Sequence, residues 1–123
     1  MTVAGVAIAG ALGAVTRYVL GGWISNRFSG SFPVETFVIN VSGSLVLGFV
    51  FVLMTERFLP HPALRTALTV GFLGAYTTFS TFSLETLRLI EDGAVGLATA
   101  NVLASVAAGL LAVYLGIVVG RAL

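Results

Sequence analysis

Cysteine is absent from this chain, so neither a disulfide framework nor a thiolate metal site is available to it. Lysine is absent too, and all six basic residues are arginine. Charged residues make up only 9% of the 123, and no acidic residue precedes Glu35. Histidine occurs once, as His61 between two prolines, where it reads as an exposed loop residue. One histidine cannot build a metal site alone. No Ser, His and Asp set, carboxylate pair or metal cluster can be assembled from so few groups, which excludes an enzyme. Nucleic acid is not expected among the partners.

Apolar residues fill the space that charge leaves: 58% of the chain is hydrophobic, with a mean hydropathy of +1.07. A water-soluble domain of this size would not survive that balance. Four stretches approach the roughly 20 apolar residues that cross a bilayer: Thr2 to Trp23, Val34 to Met54, Ala63 to Ile90 and Ala94 to Gly120. The connections, Ile24 to Pro33, Thr55 to Pro62 and Glu91 to Gly93, are too short for a second domain. Residues 1–123 therefore read as a single all-α transmembrane domain. The first stretch lacks the basic flank of a cleaved signal peptide, and three later spans would hold the protein in the membrane regardless.

Arginines near helix ends set which loops stay inside. Arg57, Arg65 and Arg121 fall on one side of a four-span arrangement, and Arg17, Arg27 and Arg88 on or near the other. Such balance predicts insertion in both orientations and an antiparallel homodimer; a small protein with weak bias is the alternative. Four helices hardly enclose a water-lined path by themselves, which also points to oligomers. Gly5, Ala9, Gly13 and Gly21 form a small-residue stripe suited to helix contact.

Polar groups inside spans must find partners or face water. Asn40, Ser44 and Gly48 recur at four-residue intervals on the second stretch, as do Asn101, Ser105 and Gly109 on the fourth. Each set occupies one helical face, either as a pore-facing track or as hydrogen-bonding positions between packed helices. The third stretch carries five hydroxyls between Thr77 and Ser83, just after Gly71 and Gly74. Glycine followed by such a run favours local unwinding, which frees carbonyls for a cation or a protein partner. Phe79 and Phe82 share a face, as core aromatics or as ring edges lining a path. Arg17 either raises anion concentration near a mouth or snorkels to the interface. Neutral amides, hydroxyls and ring edges in series suit a small, strongly hydrated anion, binding it well enough to admit and weakly enough to release.

The run from Gly71 through Ser83, Gly-Phe-Leu-Gly-Ala-Tyr-Thr-Thr-Phe-Ser-Thr-Phe-Ser, followed by Glu85, closely resembles the signature of the Fluc fluoride channels, also called the CrcB family. Gly10 to Gly13 with Ala14 to Tyr18, Pro33 to Asn40 with Gly43 and Gly48, and Asn101, Ser105 and Gly109 extend the match over essentially the whole chain. The resemblance implies four transmembrane helices with a broken third, in a dual-topology antiparallel homodimer with two fluoride pathways. It implies passive export of fluoride across the cell membrane, reducing its cytoplasmic toxicity. Phe79 and Phe82 would present ring edges to fluoride, Asn40 would support that site, and Ser105 with Asn101 would belong to the polar track. Thr78, Ser80 and Thr81 would add hydroxyls. Gly74 and Thr77 would offer backbone carbonyls to a structural, non-transported sodium ion. Ala75 and Tyr76 replace residues often smaller or apolar in that family, and Leu73 stands where cysteine is frequent. Glu35 occupies a usual glycine, while Asn101 and Gly109 stand where tyrosine and serine can occur.

Two rivals share size or topology. A four-span drug exporter of the small multidrug resistance type needs an embedded carboxylate in its first helix, which this chain lacks. Glu85 is the only carboxylate well inside a span, and Arg88 three residues on is placed to neutralise it. A membrane scaffold would leave the Thr77 to Ser83 run unexplained.

Overall fold

A computed structural model describes residues 1–58 and 61–123. Positions 59 and 60 of the expected second connection lie outside the described residues. Every regular element among them is helical. The three long ones are α1, Thr2–Ser25, α2, Val34–Val52, and α6, Val95–Ala122. Each is long and apolar enough to cross a membrane, α2 together with the wide π-type turn Leu53–Arg57 that continues it. Their sequences run through Ala, Val, Leu, Ile and Gly without an internal proline, and a helix satisfies its backbone where no water is present to do so.

The third apolar stretch is not one helix. Pro62 opens α3, Pro62–Thr66, a position where its missing N–H costs no helical bond. His61 caps it, Nδ1 accepting the Ala63 N–H at 3.1 Å, so the exposed loop histidine also has a local structural task. The backbone then widens into π-type turns over Ala67–Leu73, tightens into α4, Gly74–Tyr76, and breaks. Thr77 (φ −83°, ψ 158°) and Thr78 (φ −150°, ψ 117°) are extended. Helix resumes as α5, Phe79–Glu91, with the Thr78 hydroxyl accepting the Thr81 N–H at 3.2 Å as its cap. The unwinding expected from glycine and hydroxyls thus falls on the first two residues of the hydroxyl run.

In lipid, helices gain little from hiding apolar surface and associate through close backbone contact. α2 and α6 form the most extensive pairing, along a seam of glycines. A Cβ at Gly48 would run into the Val113 carbonyl, and one at Gly116 into the Leu45 carbonyl. α1 packs similarly on the wide turns: Gly13 lies against the Phe72 carbonyl, and Gly71 against Val6 and Ala9. The stripe of small residues on α1 is accordingly occupied by contacts within the chain.

The α1–α2 connection and the α5–α6 turn share one end of the bundle, where Phe28, Gly30, Glu85 and Asp92 line a common cavity. At the other end Arg57 donates to the Arg121 carbonyl, and Arg121 pairs with Glu56 at 3.0 Å. That is the sole ion pair among the described residues, and its exposure leaves it little energetic weight.

Candidate functional site

Two extended residues inside a helical stretch strand backbone groups that helix would have paired. Asn40 of α2 takes both of those on Thr78: Oδ1 accepts the N–H at 2.7 Å, and Nδ2 donates to the carbonyl at 2.9 Å. Gly43, one turn along, brings α2 close enough for this, since a Cβ there would strike the Thr77 side chain and the Tyr76 ring. Tyr76 reaches α2 as well, its hydroxyl 2.9 Å from Ser42 Oγ, so the polar end of this less usual residue is satisfied. From α1, Arg17 Nε donates to the Ala75 carbonyl at 3.2 Å.

These bonds leave a specific pair of acceptors over. Asn40 has taken the Thr78 N–H that a continuous helix would send to Gly74, and the Thr78 hydroxyl has taken the Thr81 N–H that would go to Thr77. Among the described residues, neither the Gly74 nor the Thr77 carbonyl accepts a hydrogen bond. Freed carbonyls at a helix break are the donor type that holds sodium in membrane proteins. The residues present therefore fit the cation that the family resemblance assigns to them.

Beside the break lies a cavity of about 340 Å³, open on one side. It gathers Asn40 from α2, Gly74, Thr77 and Thr78 from the break, Phe79 and Phe82 from α5, and Ser105 from α6. The two rings sit 5.7 Å apart, tilted 45° to one another, and Phe79 is 79% exposed in the single chain. Thr69, not singled out from sequence, and Leu73, noted there only as a departure from the family pattern, also line the cavity. Their signal was available: 69, 73 and 77 follow the same four-residue spacing as the stripes on α2 and α6.

The remaining expected site residues lie elsewhere. Asn101 is only 1% exposed and stands behind the cavity wall, Nδ2 donating to Thr86 Oγ1 at 2.9 Å and Oδ1 accepting from Ser105 at 3.2 Å. Ser80 and Thr81 occupy the first turn of α5 outside the lining, where Thr81 Oγ1 accepts the Thr78 hydroxyl at 3.1 Å. Arg17 lines a separate cavity of about 570 Å³ with Tyr18, Trp23 and Glu35. The two polar stripes divide in the same way: Asn40, Ser44 and Ser105 face the cavity, whereas Gly48 belongs to the α2–α6 seam and Asn101 to interhelical bonding. Among the described residues Arg88 forms no ion pair with Glu85: Arg88 is exposed, while Glu85 Oε1 is buried without a hydrogen-bond partner.

Donors in the cavity are fewer than its composition suggests. The hydroxyl protons of Ser44, Thr69 and Thr77 return to the carbonyls of Asn40, Arg65 and Leu73 at 2.7, 2.8 and 3.0 Å, the habit of such residues in helices. Those hydroxyls show lone pairs to the cavity unless they rotate. The donors left to the lining residues are the second amide hydrogen of Asn40 and the electropositive edges of the Phe79 and Phe82 rings.

Comparison with known proteins points one way. The family described as "CrcB-like protein, Camphor Resistance (CrcB)" matches residues 4–117. A protein of Geotalea uraniireducens named "Fluoride-specific ion channel FluC" is 48% identical over 122 residues, covering 99% of this chain and 98% of the relative. Proteins of the same name from Magnetococcus marinus and Solibacter usitatus are 49% and 46% identical, over 98% and 94% of this chain and 98% and 95% of their own. These relatives are named as ion channels, not enzymes. With long apolar helices and kinship over nearly its whole length, this chain is a multi-pass membrane protein and belongs to the CrcB family.

Proposed function

We propose that the chain is a fluoride-selective channel of the cell membrane, exporting the anion passively and lowering its toxicity in the cytoplasm, with residues 1–123 acting as one channel domain. The observation that carries this is the cavity at the helix break, which an amide and two phenyl rings line with no charged group among the lining residues. Fluoride surrenders hydration only to groups that replace it. A fixed cation at that depth would trap the ion, whereas weak neutral donors in series let it move on.

The cavity's open side supports an antiparallel homodimer. A polar recess with Asn40, Thr77 and an exposed Phe79 at mid-helix depth cannot face lipid tails, and a second copy in the opposite orientation would close it. Two copies then give two pathways. In each chain the broken α3–α5 stretch makes the fourth crossing, since its ends lie at opposite ends of the bundle. Asn40, Phe79, Phe82, Thr78 and Ser105 would line the fluoride path directly. Ser80 and Thr81 extend it along α5, Asn101 orients Ser105, and Arg17 draws anions to a mouth. The Gly74 and Thr77 carbonyls would hold a sodium ion, whose charge would be spent on those carbonyls and would tie the two chains together rather than meet the anion.

Purified protein in liposomes loaded with fluoride or chloride tests this. Rapid fluoride loss with little chloride loss is expected; equal rates, or vesicles sealed to both, overturn the reading. Exchanging sodium for a large organic cation throughout purification is expected to shift the protein from dimer toward monomer on size-exclusion chromatography. An unchanged dimer counts against the cation site while leaving the channel reading intact.

A further inference from the structure

Glu35 is the single residue that lines both the Arg17 cavity, about 570 Å³, and its neighbour containing Glu85, Arg88 and Asp92, about 460 Å³. Its carboxylate presses against Gly21 of α1, one helical turn beyond Arg17. Among the described residues Arg17 spends only Nε on protein, leaving its terminal nitrogens to attract anions. Neither Arg17 nor Glu35 joins an ion pair among the described residues. A lone carboxylate therefore stands in the same cavity as the arginine suited to gather anions, and its field opposes the arginine's.

We infer that Glu35 limits the rate at which fluoride is admitted at the Arg17 cavity, by cancelling part of the positive potential there. The inference rests on the fluoride-channel reading and adds to it a rate-setting residue outside the break. Glu85 and Asp92 add negative charge on the far side of Glu35 and Arg88 offsets one of them, so neutralising Glu35 leaves Arg17 as the dominant charge in its cavity.

The test compares wild type, Glu35→Gln and Glu35→Gly in fluoride-loaded liposomes at low and high ionic strength. Both variants are expected to release fluoride about two- to fourfold faster than wild type at low salt, the effect of one charge across a few water diameters of mouth. That advantage should vanish near 1 M salt, where the screening length is about 3 Å. Equal rates at low salt overturn the inference, as does a difference of the same size at both salts, which is the mark of altered packing. Since Gln keeps most of the side-chain bulk and Gly removes it, agreement between them separates charge from fit. Wild-type vesicles that hold fluoride reject the channel reading itself, and the inference with it.

Discussion

Asn40→Asp is expected to cut fluoride efflux on the order of a hundredfold while the protein still inserts and dimerises. The substitution keeps the shape of the side chain and the acceptor for the Thr78 N–H at 2.7 Å. It replaces the donor to the Thr78 carbonyl, now at 2.9 Å, with an oxygen facing an oxygen. An unpaired buried acceptor costs about 1–3 kcal/mol, and every 1.4 kcal/mol is about tenfold in an equilibrium. The same change sets a negative charge on the proposed path of an anion and removes the spare amide hydrogen of a lining residue. Efflux from liposomes, with dimer content checked by size exclusion, reads the result. Wild-type flux in a properly assembled variant means that Asn40 neither shapes the break nor meets the ion.

Phe82→Ile is expected to lower fluoride efflux about tenfold or more, again with the dimer intact. Isoleucine retains the apolar character but has no ring quadrupole, so the electropositive edge that a phenyl ring can offer the cavity it lines is lost. Hydroxyls nearby compensate poorly, because Ser44 and Thr77 already return their protons to Asn40 and Leu73. Losing about 1.4 kcal/mol of anion stabilisation at the narrowest step gives the tenfold factor. Methionine, flexible and without a ring, should behave like isoleucine, whereas tyrosine should retain more flux. Full activity in Phe82→Ile would remove aromatic edges from the mechanism.

Much of the architecture was legible because lipid enforces it. Unbroken apolar runs gave α1, α2 and α6 to within a few residues, since a membrane span has few other ways to satisfy its backbone. The break was legible as well, because Gly71, Gly74 and the hydroxyls after them are residues that tolerate leaving a helix. Its cause was not. That Asn40 holds Thr78 from both sides depends on how far α2 slides along the third stretch, and no spacing within either segment encodes that. Asn101 shows the same limit in reverse. Its stripe placed it beside Ser105 correctly, but whether that face met a cavity or Thr86 was decided by the α5–α6 pairing. Glu85 and Arg88 matched a helical pairing rule and line one cavity, yet form no ion pair among the described residues, Glu85 being half-buried and Arg88 exposed.

The hold of Asn40 on Thr78 also constrains the sequence of events during biogenesis. α2 leaves the ribosome before Thr78 does, so Asn40 is made before the residues that it holds. Without it, Thr78 would enter hydrocarbon with two naked amide groups, and the cheapest remedy would be to wind straight through as ordinary helix. The cavity at the break is thus a product of docking: a chain can span the membrane correctly, and be counted as folded by any helix measurement, before that opening exists.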